Sequence, residues 1–133
     1  MKQTKIKIKT PIPTEAQEQK KVFEWAALMT VKYPDLKWMY HIPNGGSRNP
    51  IEARHLKEQG VKSGVPDIHL PVPRGCYHGL YIEMKRQEGG RISETQKTWL
   101  FGLGELGHKT LACEGAEDAI REIVIYLEGE HDN

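Results

Sequence analysis

Two acids and an amine stand at spacings that suit phosphate chemistry: Asp67 follows Pro66, and Glu83 and Lys85 flank Met84. Between them the stretch from Pro71 to Gly79 is rich in proline and glycine, which marks a loop or wide turn. On its flanks Asp67, His69, Glu83 and Lys85 share one parity, and Ile68, Leu70, Leu80, Ile82 and Met84 share the other. Strand side chains alternate between two faces, so this pattern predicts a hairpin with one apolar face and one face gathering the carboxylates and the amine. A turn symmetric about Gly75 sets Asp67 directly across from Glu83, with Cβ atoms roughly 5 Å apart. A bulge in the turn would spoil that register.

Carboxylates that close repel each other unless a proton or a cation lies between them. A hard divalent ion, Mg²⁺ or Mn²⁺, resolves the conflict, because such ions take one or two carboxylates together with water and substrate phosphate. Lys85 projects from the same face, where it can neutralise a pentavalent phosphate or help orient and deprotonate a water. Glu-x-Lys by itself is the ordinary polar face of a surface hairpin, and Pro-Asp at hairpin distance is what gives it chemical meaning. A zinc site built from His69, Asp67 and Glu83 has the right parity but lacks a His-Glu-x-x-His or similar spacing.

The elements that must hold this hairpin can be read along the chain. Met1 to Thr10 alternates lysine and isoleucine, which suits a loosely ordered basic arm touching phosphates or a short edge strand. After Pro11-Ile12-Pro13, Thr14-Glu15-Ala16-Gln17 forms a capping box that opens a helix running to about Tyr33, with Val22, Phe23, Ala26, Met29 and Tyr33 as its apolar stripe. Residues 37–42 are expected as a strand, and residues 43–48 as a turn of small residues. In that turn Asn44 and its neighbours allow backbone amides close to phosphates, and Arg48 adds charge. Asn49 caps and Pro50 starts a helix that Gly60 ends. Arg48, Arg54, Lys57 and Lys62 form a basic track running toward Asp67, a candidate phosphate path. Ser93-Glu94-Thr95-Gln96 is a second capping box, opening a helix that stops at Gly107. Residues 109–113 read as a strand and residues 115–128 as a last helix, with Ala119, Ile120, Ile123, Val124 and Leu127 as its stripe. The predicted architecture is α/β, a mixed β-sheet flanked by helices on both faces.

Bulk properties bound the reading without deciding it. The chain has 133 residues, enough for one domain, with 28% charged and 38% hydrophobic residues. Lys and Arg total 19 against 18 Asp and Glu, so any nucleic-acid footprint must be a local patch rather than a global field. Two cysteines, Cys76 and Cys113, are too few and too far apart for a disulfide scaffold or a zinc knuckle. With no leader-like segment and no apolar run of membrane-spanning length, a cytoplasmic protein of a bacterial or phage-infected cell is expected.

Pro66-Asp67 followed by Glu83-Met84-Lys85 resembles the PD-(D/E)xK nuclease signature. The fuller string from Gly60 to Asp67, together with Ser93-Glu94-Thr95-Gln96, resembles the VRR-NUC branch, which includes short phage proteins and the nuclease domain of a eukaryotic Fanconi-associated nuclease. The resemblance runs from about Glu15 to Cys113, within a domain expected over residues 14–128, preceded by the arm at 1–13 and followed by a tail at 129–133. It implies a restriction-endonuclease-like core and a metal-dependent DNA endonuclease. Asp67 and Glu83 would bind the ion, the main-chain carbonyl of Met84 would complete the protein ligands, and Glu15 would be a further acid, with Glu18 the second choice. Lys85 would assist the water, and Gln96, which already has a structural role as a cap, would also stand beside the site. Asn44 would lie near the DNA. The resemblance further implies a homodimer acting on branched DNA such as four-way junctions. The competing expectation is a DNA-binding accessory module of phage recombination or packaging that does not cut, although clustered acids facing phosphates would serve such a module poorly.

Overall fold

The structure, a computed structural model, describes residues 11–44 and 49–129. The arm up to Thr10, the turn segment 45–48 with Arg48, and the last four residues lie outside the described residues.

Thr14 caps α1 (Glu15–Met29) as its sequence demands: Gln17 N donates to Thr14 Oγ1 at 3.1 Å, and Thr14 N donates to Gln17 Oε1 at 2.9 Å. The helix ends earlier than its stripe suggests, with Thr30 as C-cap, and Tyr33 lies beyond it. Of the strand expected over residues 37–42, Lys37 and Trp38 belong to a 3-10 turn, Pro34–Trp38, and only Tyr40–His41 pairs as β1. Pro34 starts that turn, buried Leu36 anchors it, and Pro43, lacking an N–H, cannot extend the ladder. Asn49 caps α2 (Pro50–Glu58) by accepting from the amides of Ile51 and Glu52, and Gly60 leaves the helix at φ 101°.

β2 (Ile68–Leu70) and β3 (Leu80–Lys85) form the expected antiparallel hairpin. Ile68 pairs with Ile82, His69 with Tyr81 and Leu70 with Leu80, the register of a turn symmetric about Gly75. α3 (Glu94–Glu105) begins at the Ser93 capping box. The chain then returns through β4 (Lys109–Glu114), parallel to β3, and ends in α4 (Ala116–Glu128). The sheet order is β1-β2-β3-β4, antiparallel except for the last pair, so it is mixed as predicted.

One face of the hairpin makes the core. Ile68, Leu70, Leu80, Ile82 and Met84 are all buried against Val22 and Ala26 of α1 and Ala119 and Ile123 of α4. Each such aliphatic side chain, fully buried, contributes about 1.5–3 kcal/mol. In α4 the stripe is carried by Ala116, Ala119, Ile123 and Tyr126, whereas Val124 is only partly buried. The opposite face of the hairpin is also covered at its Glu83–Lys85 end, by the first turn of α3 through Gln96 and by the loop at Gly90, while the rest of α3 packs on β4, so acid and amine are buried rather than left on a wet surface.

Candidate active site

Asp67 stands one residue before β2, and continuing the observed register places it opposite Glu83. Its Oδ2 accepts a 2.7 Å hydrogen bond from Met84 N, which fixes the carboxylate against β3. Its main-chain carbonyl accepts from Ile42 N and from His41 Nδ1, each at 2.8 Å. His41 therefore carries its proton on Nδ1 and acts as a brace for the Asp67 backbone, not as a ligand. No spacing rule announces that contact, because it is made across 26 positions of chain.

Glu83 is only 2% exposed, and Lys85 beside it 6%. Glu83 Oε1 accepts from Gln96 Nε2 at 2.8 Å and lies 3.8 Å from Lys85 Nζ. Glu83 Oε2 is buried with no hydrogen-bond partner. Burial first, then the neighbouring Asp67 carboxylate, push the Glu83 carboxyl up to about 8; Lys85 opposes that rise and Glu15 adds to it. A buried, partnerless carboxylate oxygen facing a second acid is the environment a proton or a cation completes.

Gln96 serves both ends of its amide. Its Oε1 accepts from Ser93 N at 2.9 Å, closing the capping box, and from Lys85 Nζ at 3.0 Å, while its Nε2 holds Glu83. The cap and the site therefore share one side chain, and α3 is aimed by the residue that touches Glu83 and Lys85.

The two candidate acids of α1 separate cleanly. Glu15 Oε1 lies 3.9 Å from Lys85 Nζ and its side chain is half exposed. Glu18 is buried elsewhere: its carboxylate accepts from Ala116 N at the start of α4 and from Gln87 Nε2. α4 has Gly115 at its N-cap, with no side-chain cap of its own, so Glu18 supplies the missing acceptor from another helix. That tertiary cap is invisible in the sequence, where Glu18 reads only as the second choice for the helix acid of the site.

His69 does not join the acids. It stacks on Tyr81, centroids 4.0 Å apart and planes 2° from parallel, and its Nδ1 shares a 2.7 Å hydrogen bond with the Tyr40 hydroxyl. Burial lowers its pKa, consistent with a neutral ring in an aromatic row. Among the described residues no group of three or more His, Cys, Asp or Glu is gathered, so neither His69 nor Glu15 joins Asp67 and Glu83 in one cluster. Two carboxylates still fit a hard ion that draws its other ligands from water, carbonyl and phosphate oxygens.

Of the expected DNA contacts, Asn44, Lys57 and Lys62 line one cavity, whereas Arg54 forms an ion pair with Glu58 at 3.8 Å on the exposed side of α2. Trp99 of α3 borders the same cavity.

A mixed sheet with helices on both faces and an Asp/Glu-x-Lys hairpin at its centre defines a restriction-endonuclease-like α/β protein. A model of the VRR-NUC domain matches residues 6–117, and the chain belongs to the VRR-NUC family. A solved structure described as a VRR_NUC domain protein is 28% identical, with a TM-score of 0.78 over 93% of this chain and 96% of its own. No curated protein matches the chain. Family membership implies a nuclease-type, DNA-processing function, a hydrolase with DNA as its substrate class. Among the described residues no helix is long and apolar enough to cross a membrane.

Proposed function

We propose that the protein is a metal-dependent DNA endonuclease that hydrolyses phosphodiester bonds at the Asp67–Glu83–Lys85 site, using Mg²⁺ or Mn²⁺. The observation that carries this reading is Glu83 Oε2, a buried carboxylate oxygen without a partner, set beside a second acid and a buried lysine. Asp67, Glu83 and the main-chain carbonyl of Met84 are the proposed ligands, with Glu15 as an outer acid near Lys85. When bound, a divalent ion supplies neutralisation of phosphate charge and a more acidic water. Lys85, held by Gln96, brings a fixed positive charge to the phosphate undergoing attack. Gln96 restrains both Glu83 and Lys85, so the two do not collapse into a closer ion pair. Asn44, Arg48, Arg54, Lys57 and Lys62 are the proposed DNA-contacting residues, of which Arg54 and Lys57 stand on α2 and Lys62 on the loop that leads to Asp67.

One site of this kind cuts one strand. A homodimer would present two sites to DNA of matching symmetry, such as a four-way junction. The reading is tested with labelled single-stranded, duplex, flapped and four-way-junction DNA in Mg²⁺, Mn²⁺ or EDTA, beside Asp67→Asn. Cutting that needs the ion and disappears in Asp67→Asn is expected; cutting retained by Asp67→Asn would remove the assignment.

A further inference from the structure

The loop that delivers Asp67 also closes a cavity that the carboxylate chemistry leaves unused. The cavity encloses about 590 Å³, a volume within the range of small-ligand sites. Lys57 and Lys62 bring two ammonium groups to its wall, Asn44 an amide, Ser63 a hydroxyl and Trp99 a half-buried indole. Trp99 also borders a neighbouring, more apolar cavity with Ile42, Val61 and Val65, and Lys62 lines both. Cations, an amide and an aromatic face together are complementary to a nucleotide, which has a phosphate to neutralise and a base to stack.

Its position ties it to the acids. Trp99 follows Gln96 by three residues on α3, so the two share a helix face one turn apart. Gln96 is bonded to both Glu83 and Lys85. On the other wall, Lys62 precedes Asp67 by five residues, at most about 17 Å of chain. Gly64 holds this loop against α3 so closely that a Cβ there would lie 2.4 Å from Thr95 Cγ2. The cavity and the carboxylates are thus fixed side by side along one helix.

We propose that this cavity is a subsite for one unstacked nucleotide adjoining the scissile phosphate, its base against Trp99 and its phosphate between Lys57 and Lys62. The subsite rests on the nuclease reading and deepens it: it names a feature of the substrate that the carboxylate site cannot sense. A fully paired duplex fills the subsite only by giving up stacking, whereas a branch point, flap or gap offers a free base. Selectivity for branched DNA then arises within one protomer, independently of any dimer.

The test is an abasic scan. Binding of a flapped duplex is measured in Ca²⁺, with each nucleotide near the branch replaced in turn by an abasic residue, for wild type, Trp99→Phe and Trp99→Ala. In wild type one position should lose about tenfold in affinity, the size of a base–aromatic stack. The same abasic position should cost Trp99→Ala nothing further, with Trp99→Phe between the two. Because the scan on wild type needs no variant, a folding defect in Trp99→Ala does not hide the answer. A flat scan in wild type, or equal losses in wild type and Trp99→Ala, overturns the subsite. Cleavage of the same oligonucleotides in Mg²⁺ reads the nuclease assignment separately. Cutting with a flat scan overturns the subsite alone, and neither cutting nor binding overturns both.

Discussion

The Glu83 carboxyl concentrates the chemistry and the instability of this protein in one residue. In the metal-free protein its pKa is raised to about 8 from an ordinary 4.5. Across that window the folded protein keeps a proton that the unfolded chain has released, so stability falls as pH rises and levels off above about 8. Thermal unfolding in EDTA should therefore show a midpoint that declines with pH, and Glu83→Gln should flatten the decline while keeping or raising stability. A wild-type profile that rises with pH would contradict the strained-acid picture. Cleavage should fall on the order of 10²-fold or more in Glu83→Gln, Asp67→Asn and Lys85→Ala, the usual size of a lost electrostatic stabiliser. Asp67 differs from Glu83 in one respect. Although removing either acid relieves repulsion, Asp67→Ala also leaves the buried Met84 N–H unpaired, at a cost of about 1–3 kcal/mol. Asp67→Asn keeps an acceptor there, so denaturant midpoints should rank Asn above Ala.

Among the elements, two helix N-termini are capped in opposite ways, and each capping scheme makes a prediction. α3 is capped from within, by Ser93 and Gln96, and Gln96 also holds the site. Ser93→Ala should cost about 1 kcal/mol of stability while the folded protein still cuts. Gln96→Ala should lose the cap and the cutting together, since Glu83 and Lys85 both lose their restraint. α4 is capped from outside by Glu18 of α1. Glu18→Ala should lower stability by about 1–3 kcal/mol, the cost of a buried unpaired amide, with cleavage retained below the melting temperature. Glu15→Ala should do the reverse, lowering cleavage with little change in melting. Equal effects of Glu15→Ala and Glu18→Ala on cleavage would overturn the division of labour between these acids.

For the whole molecule, the carboxylate pair predicts a strict choice of ion. Mg²⁺ or Mn²⁺ should support cutting, and Ca²⁺ should support binding with little cutting, because its larger and looser coordination sphere does not hold water and phosphate in line. Undiminished cleavage in excess EDTA would rule out the metal mechanism. With a formal net charge of +1 and few basic residues near the site, a single copy should grip DNA weakly and with a shallow salt dependence. A homodimer doubles the phosphate contacts, and paired nicks in a four-way junction are its expected product. Light scattering at the monomer mass of 15.2 kDa under cleavage conditions would remove the dimer, and equal rates on linear duplex and junction would remove the structure preference.

Much of this was legible in the chain by itself, wherever the governing physics is local. Alternation on either side of the Pro71–Gly79 turn was enough to place Asp67 across from Glu83, because strand periodicity and turn symmetry are properties of neighbouring residues. The capping boxes at Thr14 and Ser93, the Asn49 cap and the stop at Gly107 are likewise made within four residues of chain. Local signals also misled. The aromatic run ending in Ile42 reads as a strand by propensity, but Pro34 and the burial of Leu36 draw its first two residues into a 3-10 segment and leave only Tyr40–His41 as strand, so tertiary packing overrides β-propensity there. Other features had no local signature at all. Glu18 became the cap of α4, His41 the brace of Asp67, and Trp99 a wall shared with Lys57 and Lys62, each through contacts between segments far apart in sequence. Only the tertiary structure could decide that Glu83 is buried with one oxygen unpaired, since desolvation depends on the first turn of α3 covering that end of the hairpin and not on any residue adjacent to Glu83 in the chain.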